Sequence, residues 1–452
     1  MSSAAPASDL RLTTSNRQIL SIALPISFSI FVPQINFITN NIFLGQLGET
    51  SLAAAGITGV YYLIFAVIGF GLNNGLQAII SRRAGQGRVE EIGKLFIQGV
   101  YLSLGIALIG IIITYLFAPA LLGSTLRSPE MTNQCIEFLH IRIWGLPFLY
   151  IYQMRNALLV GTNQSKLLVW GTLAETLANI VLDYGLIFGH LGLPELGFNG
   201  AAIASIIAEF LGMFVVFAVI EWKGISKQLS LYRNLRFNPK EIRLLFVQSS
   251  PLIFQYAISV ISWEFFYVLV EHHGSRDLAI SNTMRNIFGI FGVFTWAFAA
   301  TTNTMVSNII GQDHSDQVPA LIGRIVKLSM LLAFTLCLLL NIIPETFLSL
   351  FSSEPDFIRE GVPVLRVVSV ALFLMSFANI WLNAVTGTGN PGINLKIEVF
   401  AIIAYSIYVY LVLEVYRLPI TIGWMAEWIY WSILFMLSFM YIRSGKWKGK
   451  QI

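Results

Sequence analysis

Long apolar stretches recur along the whole chain, separated by short polar connections that carry most of the charge. Twelve of them reach about twenty residues, the length a helix needs to cross roughly 30 Å of hydrocarbon. The pattern predicts helices over 17–42, 52–81, 93–118, 132–159, 167–189, 198–221, 243–270, 278–309, 321–350, 358–386, 394–415 and 419–442. No stretch alternates with the period of two that a half-buried strand shows. The connections sort by charge. Twenty lysines and arginines fall on one side, from Arg11 and Arg17 through Arg82, Arg83 and the 222–242 stretch to Lys450. Only Arg127, Arg276, Arg359 and Arg417 fall on the other. Positive charge collects on the cytoplasmic side, so both termini are expected there, and the span count is expected to be even.

Residues return at a spacing of 226, half the 452-residue chain. Pro25 and Pro251 are related in this way, as are Gly48 and Gly274, Leu52 and Leu278, and Ala53 and Ala279. So are Ser81 and Ser307, Gly85 and Gly311, Gln86 and Gln312, Pro129 and Pro355, Gly161 and Gly387, and Thr162 and Thr388. The register holds without gaps over four spans. It predicts two six-span halves, 1–221 and 243–452, joined by a basic cytoplasmic linker at 222–242. Six spans return the chain to its starting side, so the halves are expected to be parallel repeats about an axis along the membrane normal. The expected fold is an all-α polytopic membrane protein, with twelve transmembrane helices in two lobes related by pseudo-twofold symmetry. A cleft between two such lobes is how many secondary transporters are built.

Composition agrees: 56% of residues are hydrophobic, 12% are charged and the mean hydropathy is +0.72. The net charge of +4 is explained by the one-sided connections and calls for no nucleic-acid partner. Cys135 and Cys337 lie in or near separate apolar stretches and suggest neither a disulfide framework nor a metal site. Met1–Asn16 is polar, and no short apolar run with a small-residue cleavage site follows it, so no signal peptide is expected. No His-Glu-x-x-His, Gly-x-Ser-x-Gly or phosphate-cradling loop is found, and Gly93-Lys94 lacks the earlier glycine of a P-loop. The five histidines form no ligand spacing beyond the His272-His273 pair. An enzyme is not expected, and energy for any transport must come from an ion gradient.

The chemistry lies in polar residues inside the spans. Glu175, Asn179 and Asp183 follow one another at i, i+4 and i+8, on one drifting face of the fifth expected helix. A charge at mid-bilayer costs about 2.5–3.5 kcal/mol on insertion scales, so this stripe must face protein or water. It either ties helices together by hydrogen bonds or binds a cation or proton. At the 226 spacing its residues fall on Ala401, Tyr405 and Val409, so the stripe is expected in the first half alone. Other ionisable residues within spans are Arg142, Arg155, Glu209, Glu264, Arg285, Arg366, Glu398 and Glu427. Arg155 and Glu398 are expected near span ends, snorkelling to the interface. Glu264 is expected either to pair with an arginine such as Arg285 or to face a cleft. Pro25, Pro33, Pro147 and Pro251 should bend their helices, as hinges or as packing features.

At three places the chain resembles the multidrug and toxic compound extrusion (MATE) transporters. The first is Ile38-Thr39-Asn40-Asn41-Ile42-Phe43-Leu44-Gly45-Gln46-Leu47-Gly48 followed by Leu52-Ala53-Ala54. It is similar to that family's Asp-x-x-Phe-x-Gly-x-Leu-Gly and Leu-Ala-Ala segment. The second is Asn179-x-x-x-Asp183 ending in Leu186-Ile187-Phe188-Gly189. The third is Gly197-x-x-Gly200-Ala201-Ala202-Ile203-Ala204-Ser205. The resemblance implies a cation site at Asn40, Asn179, Asp183 and Ser205. Asn40 stands where that family usually has aspartate, and Glu175 is the nearby group that can supply the missing charge. Burial disfavours the charged form of a carboxylate, and a second carboxylate disfavours it further, so Asp183 and Glu175 can share one proton.

The resemblance implies a cation-coupled antiporter, driven by H+ or Na+, that exports amphipathic or cationic small molecules by alternating access. Na+ at Asp183 is the one metal considered, and no resident cofactor is expected. Glu264 and Arg285 are the candidate coupling or substrate residues of the second lobe. A monomer in the plasma membrane, the inner membrane if bacterial, is expected. A flippase for lipid-linked saccharides is the alternative with the same architecture. It would need several cationic cleft residues for pyrophosphate, and only Arg142, Arg285 and Arg366 are available. A non-transporting membrane interaction protein is a third reading, but mid-span carboxylates would then lower stability without a use.

Overall fold

A computed structural model describes residues 10–450. Residues 1–9, part of the polar start in which no leader was expected, lie outside that range. The described chain is helical throughout. Its first half holds α1 (Asn16–Gln46), α2 (Glu49–Gly85), α3 (Val89–Thr125), α4 (Pro129–Arg142), α5 (Leu146–Gly161), α6 (Leu168–Phe188) and α7 (Gly197–Trp222). After the short α8 (Ile225–Gln228) come α9 (Pro239–Glu271), α10 (Ser275–Gly311), α11 (Val318–Ile342), α12 (Pro344–Ser349) and α13 (Pro355–Gly387). The chain ends with α14 (Pro391–Val409), a π-helical turn at Tyr410–Val415, α15 (Ile420–Gly423) and α16 (Ala426–Arg443).

The 226 spacing governs element ends as well as residue types. Both α2 and α10 have 37 residues, and their starts and ends are 226 apart. Each is preceded by a glycine with the same rare backbone, Gly48 at φ 111° and Gly274 at φ 117°, a conformation an L side chain rarely adopts. The start of α4 and the end of α5 match the start and end of α13 in the same way.

Among the described residues, ten helices are long and apolar enough to cross a membrane, against twelve expected. Two differences account for this. The stretch expected as the fourth span is divided into α4 and α5 by a 3-10 turn at Ile143–Gly145. Pro147 sits in the first turn of α5, where its ring clashes with the carbonyl four residues back and its missing N–H removes a helical hydrogen bond. In the second half Phe373 occupies the corresponding position, and α13 runs unbroken. The other short candidate is α6, whose 21 residues include Glu175, Asn179 and Asp183. Its polar stripe is what lowers its apolarity. The ninth expected span ends early, at Ile342, because Pro344 cannot continue it.

Burial is inverted relative to a water-soluble protein. Leu116 is 66% exposed and Phe117 61%, while Ser81, Thr301 and Asn303 are wholly buried. Large apolar side chains outside and polar ones within are what a lipid environment requires. The chain is a multi-pass membrane protein.

Two compact units are distinguished by their internal packing. One holds Phe28–Ile253; the other holds Leu12–Ser27 and Phe254–Ile452. Both breaks fall inside helices, two residues after Pro25 in α1 and after Pro251 in α9, and are therefore 226 apart. Within the first unit, the N-terminal part of α9 packs against α2 so closely that a Cβ on Gly71 would lie 2.4 Å from Ile253 Cγ1. The stretch after α8 is fixed to α3: Gln98 Nε2 donates to the Arg236 carbonyl at 2.9 Å, and the Asn238 N–H donates to Gln98 Oε1 at 3.0 Å. Within the second unit, the Leu12 N–H donates to Asn308 Oδ1 at 3.0 Å, and Arg324 Nη1 to the Thr14 carbonyl at 2.8 Å.

Candidate functional site

Two glycine contacts hold α6 against α7 in the first unit. A Cβ on Gly171 would meet Val216 Cγ2 at 2.2 Å, and one on Gly200 would meet the Leu186 carbonyl oxygen at 2.5 Å. Small residues let helix backbones approach in this way. Between these contacts, Asn179 on α6 faces Ser205 on α7, with Nδ2 3.5 Å from Oγ. From α1, Asn36 Nδ2 donates to Asn179 Oδ1 at 2.6 Å. One turn further along their own helices, Asn40 follows Asn36 on α1 and Asp183 follows Asn179 on α6.

Asp183 is 1% exposed, and neither of its carboxylate oxygens has a hydrogen-bond partner. The Oδ1 atoms of Asn36 and Asn40 are likewise buried without partners. Buried polar atoms are paired in the great majority of cases, so these four orphan oxygens call for an explanation. Of the residues expected here, Asn179 and Ser205 are in contact; Asp183 lies one turn beyond Asn179 on α6, and Asn40 one turn beyond Asn36 on α1. Asn36 was missed, although it lies at i−4 from Asn40 on the same helix face.

Glu175 is elsewhere. It lies eight residues before Asp183, roughly 12 Å along the helix axis, and its charged neighbours are Arg142 and Glu209. Those two form a bidentate pair between α4 and α7: Arg142 Nη1 to Glu209 Oε2 is 2.9 Å and Nη2 to Oε1 is 2.5 Å. The Tyr62 ring lies 3.9 Å from the guanidinium carbon. The sequence offers both partners but nothing to join residues 67 apart.

In the second unit Glu264 and Arg285 are 3.9 Å apart and each is 40% exposed, a loose pair, with Arg285 also 5.4 Å from the rings of Trp263 and Tyr267. Arg366 is exposed. Arg155 donates through Nη1 to the Met213 carbonyl, its guanidinium lies over Phe217, and Glu221 and Tyr232 near the 222–242 linker act on it. One expectation is corrected, that for Glu398. Glu398 is wholly buried rather than at a span end. The reason is that α14 begins at Pro391, earlier than the apolar run suggests, which places Glu398 two turns inside. Proline at a helix start was the signal for this.

The fold and the buried carboxylate together define an all-helical, multi-pass membrane protein with an ionisable group enclosed among its helices. The MatE family model matches residues 25–185 and again 251–411, two copies in the 226 register of the internal repeat. The chain belongs to the MatE family. Among curated relatives, the probable multidrug resistance protein NorM of Synechocystis sp. is 24% identical over 371 residues, 79% of each chain. The probable NorM of Thermotoga maritima is 22% identical, covering 96% of this chain and 94% of its own. Among solved structures, a MOP superfamily transporter from Pyrococcus furiosus superposes with a TM-score of 0.87 at 18% identity, over 98% of both chains. A multidrug resistance MATE family transporter in an outward-facing conformation does so with a TM-score of 0.86 at 17% identity, again over 98% of both.

Proposed function

We propose that the chain is a cation-coupled antiporter that exports amphipathic or cationic small molecules by alternating access, with Asp183 as the coupling group. It would act as a monomer, with twelve spans in two pseudo-twofold lobes, in the plasma membrane with both termini cytoplasmic. The observation that carries this reading is the Asp183 carboxylate, buried with no hydrogen bond to either oxygen, one turn along α6 from Asn179 and its partners Asn36 and Ser205. An ionised carboxylate in that setting is costly until a proton or Na+ neutralises it. Such an ion drives transport only by binding the two access states unequally. The neutral oxygens of Asn36, Asn40 and Ser205 suit Na+ as well as a proton. The names of the NorM and MdtK relatives support multidrug export as the cargo class. The flippase reading is disfavoured because Arg142 is held by Glu209 and Arg285 faces Glu264.

The test is efflux of a fluorescent organic cation from proteoliposomes, with proton and sodium gradients imposed separately. Asp183→Asn should abolish gradient-driven efflux while the purified protein remains folded and monodisperse. Undiminished efflux by this variant overturns the assignment.

A further inference from the structure

The second unit encloses a carboxylate of its own. Glu398 on α14 is 0% exposed. From α9, Gln255 Nε2 donates to its Oε2 at 3.3 Å, and Ser259 Oγ lies 2.6 Å from its Oε1. From α16, the Tyr430 hydroxyl donates to the same Oε1. The 226 register equates α9 with α1, α14 with α6 and α16 with α7. The same three helices of each half therefore gather an amide, a carboxylate and a hydroxyl. Residue-by-residue comparison hides this. Glu398 lies eleven positions before Val409, the counterpart of Asp183, roughly 16 Å nearer the start of its helix.

Hydrogen counting leaves room for one proton on this carboxyl group. Ser259 Oγ is 2.9 Å from the Gln255 carbonyl oxygen as well as 2.6 Å from Glu398 Oε1. A hydroxyl has one hydrogen, and a carbonyl can only accept it. Ser259 donates either to Glu398 Oε1 or to that carbonyl, and in the second arrangement the 2.6 Å contact is kept by a hydrogen on Glu398. With that hydrogen in place, Oε1 still accepts from Tyr430 and Oε2 from Gln255, and every contact is satisfied. Gln255 and Tyr430 donate to Glu398 whichever way Ser259 points, and a wholly buried carboxylate is neutralised at least cost by a proton where no cation lies beside it. Among the described residues, no ion pair includes Glu398. No charged group of α13, or of α14 itself, acts on it. The other acid on α16, Glu427, has its own donor in Trp431 Nε1 at 3.0 Å. Gln255 is 7% exposed and its Oε1 is buried without a partner, so the pocket holds more hydrogen-bonding capacity than its own side chains use.

We propose that Glu398, with Gln255, Ser259 and Tyr430, forms a second proton-binding site, selective for protons over metal cations and separate from Asp183. This deepens the transport reading, but its test does not need transport. Infrared difference spectra of the full-length protein in lipid nanodiscs are recorded as pH is stepped, in H2O and D2O. A carboxylic-acid carbonyl band that shifts on deuteration should persist in Asp183→Asn and be lost when Glu398→Gln is added. It should remain when Glu427→Gln is added instead. Ser259→Ala and Tyr430→Phe, which keep the carboxyl group, should each shift the band, so the assignment is still readable should Glu398→Gln fold poorly. A band unchanged by Glu398→Gln, or one displaced by NaCl at fixed pH, overturns the proposal. If Asp183→Asn transports normally while the Glu398 band behaves as expected, the coupling assignment fails and the second site stands.

Discussion

Removing Glu209 alone should cost far more than removing it together with Arg142. The pair is enclosed, with side chains 12% and 8% exposed, and is joined by two hydrogen bonds. Taking away one partner leaves the other charge buried, which costs about 3–5 kcal/mol. Replacing both by apolar residues of similar volume is often neutral or stabilising. Glu209→Ala should therefore lower the thermal midpoint on the order of 10 °C, since ~1 kcal/mol moves it by about 2–4 °C in domains of 150–250 residues. Arg142→Met with Glu209→Leu should recover most of that loss. The structure adds a third arm. Glu175 also acts on Arg142, so Glu175→Gln should deepen the effect of Glu209→Ala while changing the parent protein little. The assay is a double-mutant cycle on detergent-purified protein, read by tryptophan fluorescence during heating. Additive single effects, or a Glu209→Ala loss within about 1 kcal/mol of zero, would refute the claim that the two charges depend on each other.

Four further outcomes follow from the packing and the site. Gly200→Ala drives a methyl to 2.5 Å from a backbone carbonyl oxygen and should cost about 1–3 kcal/mol by forcing α6 from α7; Gly105→Ala, with nothing within 4 Å, should instead stabilise α3 by about 0.5–1 kcal/mol, and melting curves separate the two. Pro147→Ala restores a backbone donor and should join α4 to α5, seen as greater amide protection from hydrogen exchange at 143–147. In the parent protein, NaCl at a hundredfold excess over a sodium Kd should add about 2.7 kcal/mol of stability, and Asp183→Asn should show none of it beyond a KCl control. Without NaCl, Asp183→Asn should be at least as stable as the parent, because a buried charge-bearing group with two unpartnered acceptors becomes a neutral amide.

What could be read from the sequence was whatever one helix or one regular spacing expresses. The helical class follows from run lengths, and the repeat from identities such as Gly48 and Gly274, whose shared backbone conformation explains why glycine is found at both. Asn179 and Asp183 are visible because both lie on α6. Asn36 and the Arg142–Glu209 pair depend on which helices meet, and the glycine contacts that bring α6 to α7 have no pattern that distinguishes them from other small residues. Glu398 is the sharpest case. Read at the 226 spacing its partner is Thr172, and the counterpart of Asp183 is a valine, so residue-by-residue comparison confines the carboxylate to the first half. What the halves share is the trio of helices, and a carboxylate can lie at any depth between them. A repeat in which one carboxylate has shifted by three turns keeps its architecture while the two protonatable groups lie at different depths in their respective halves. Each group can serve coupling only as far as its own affinity for a proton differs between two access states, whatever its depth.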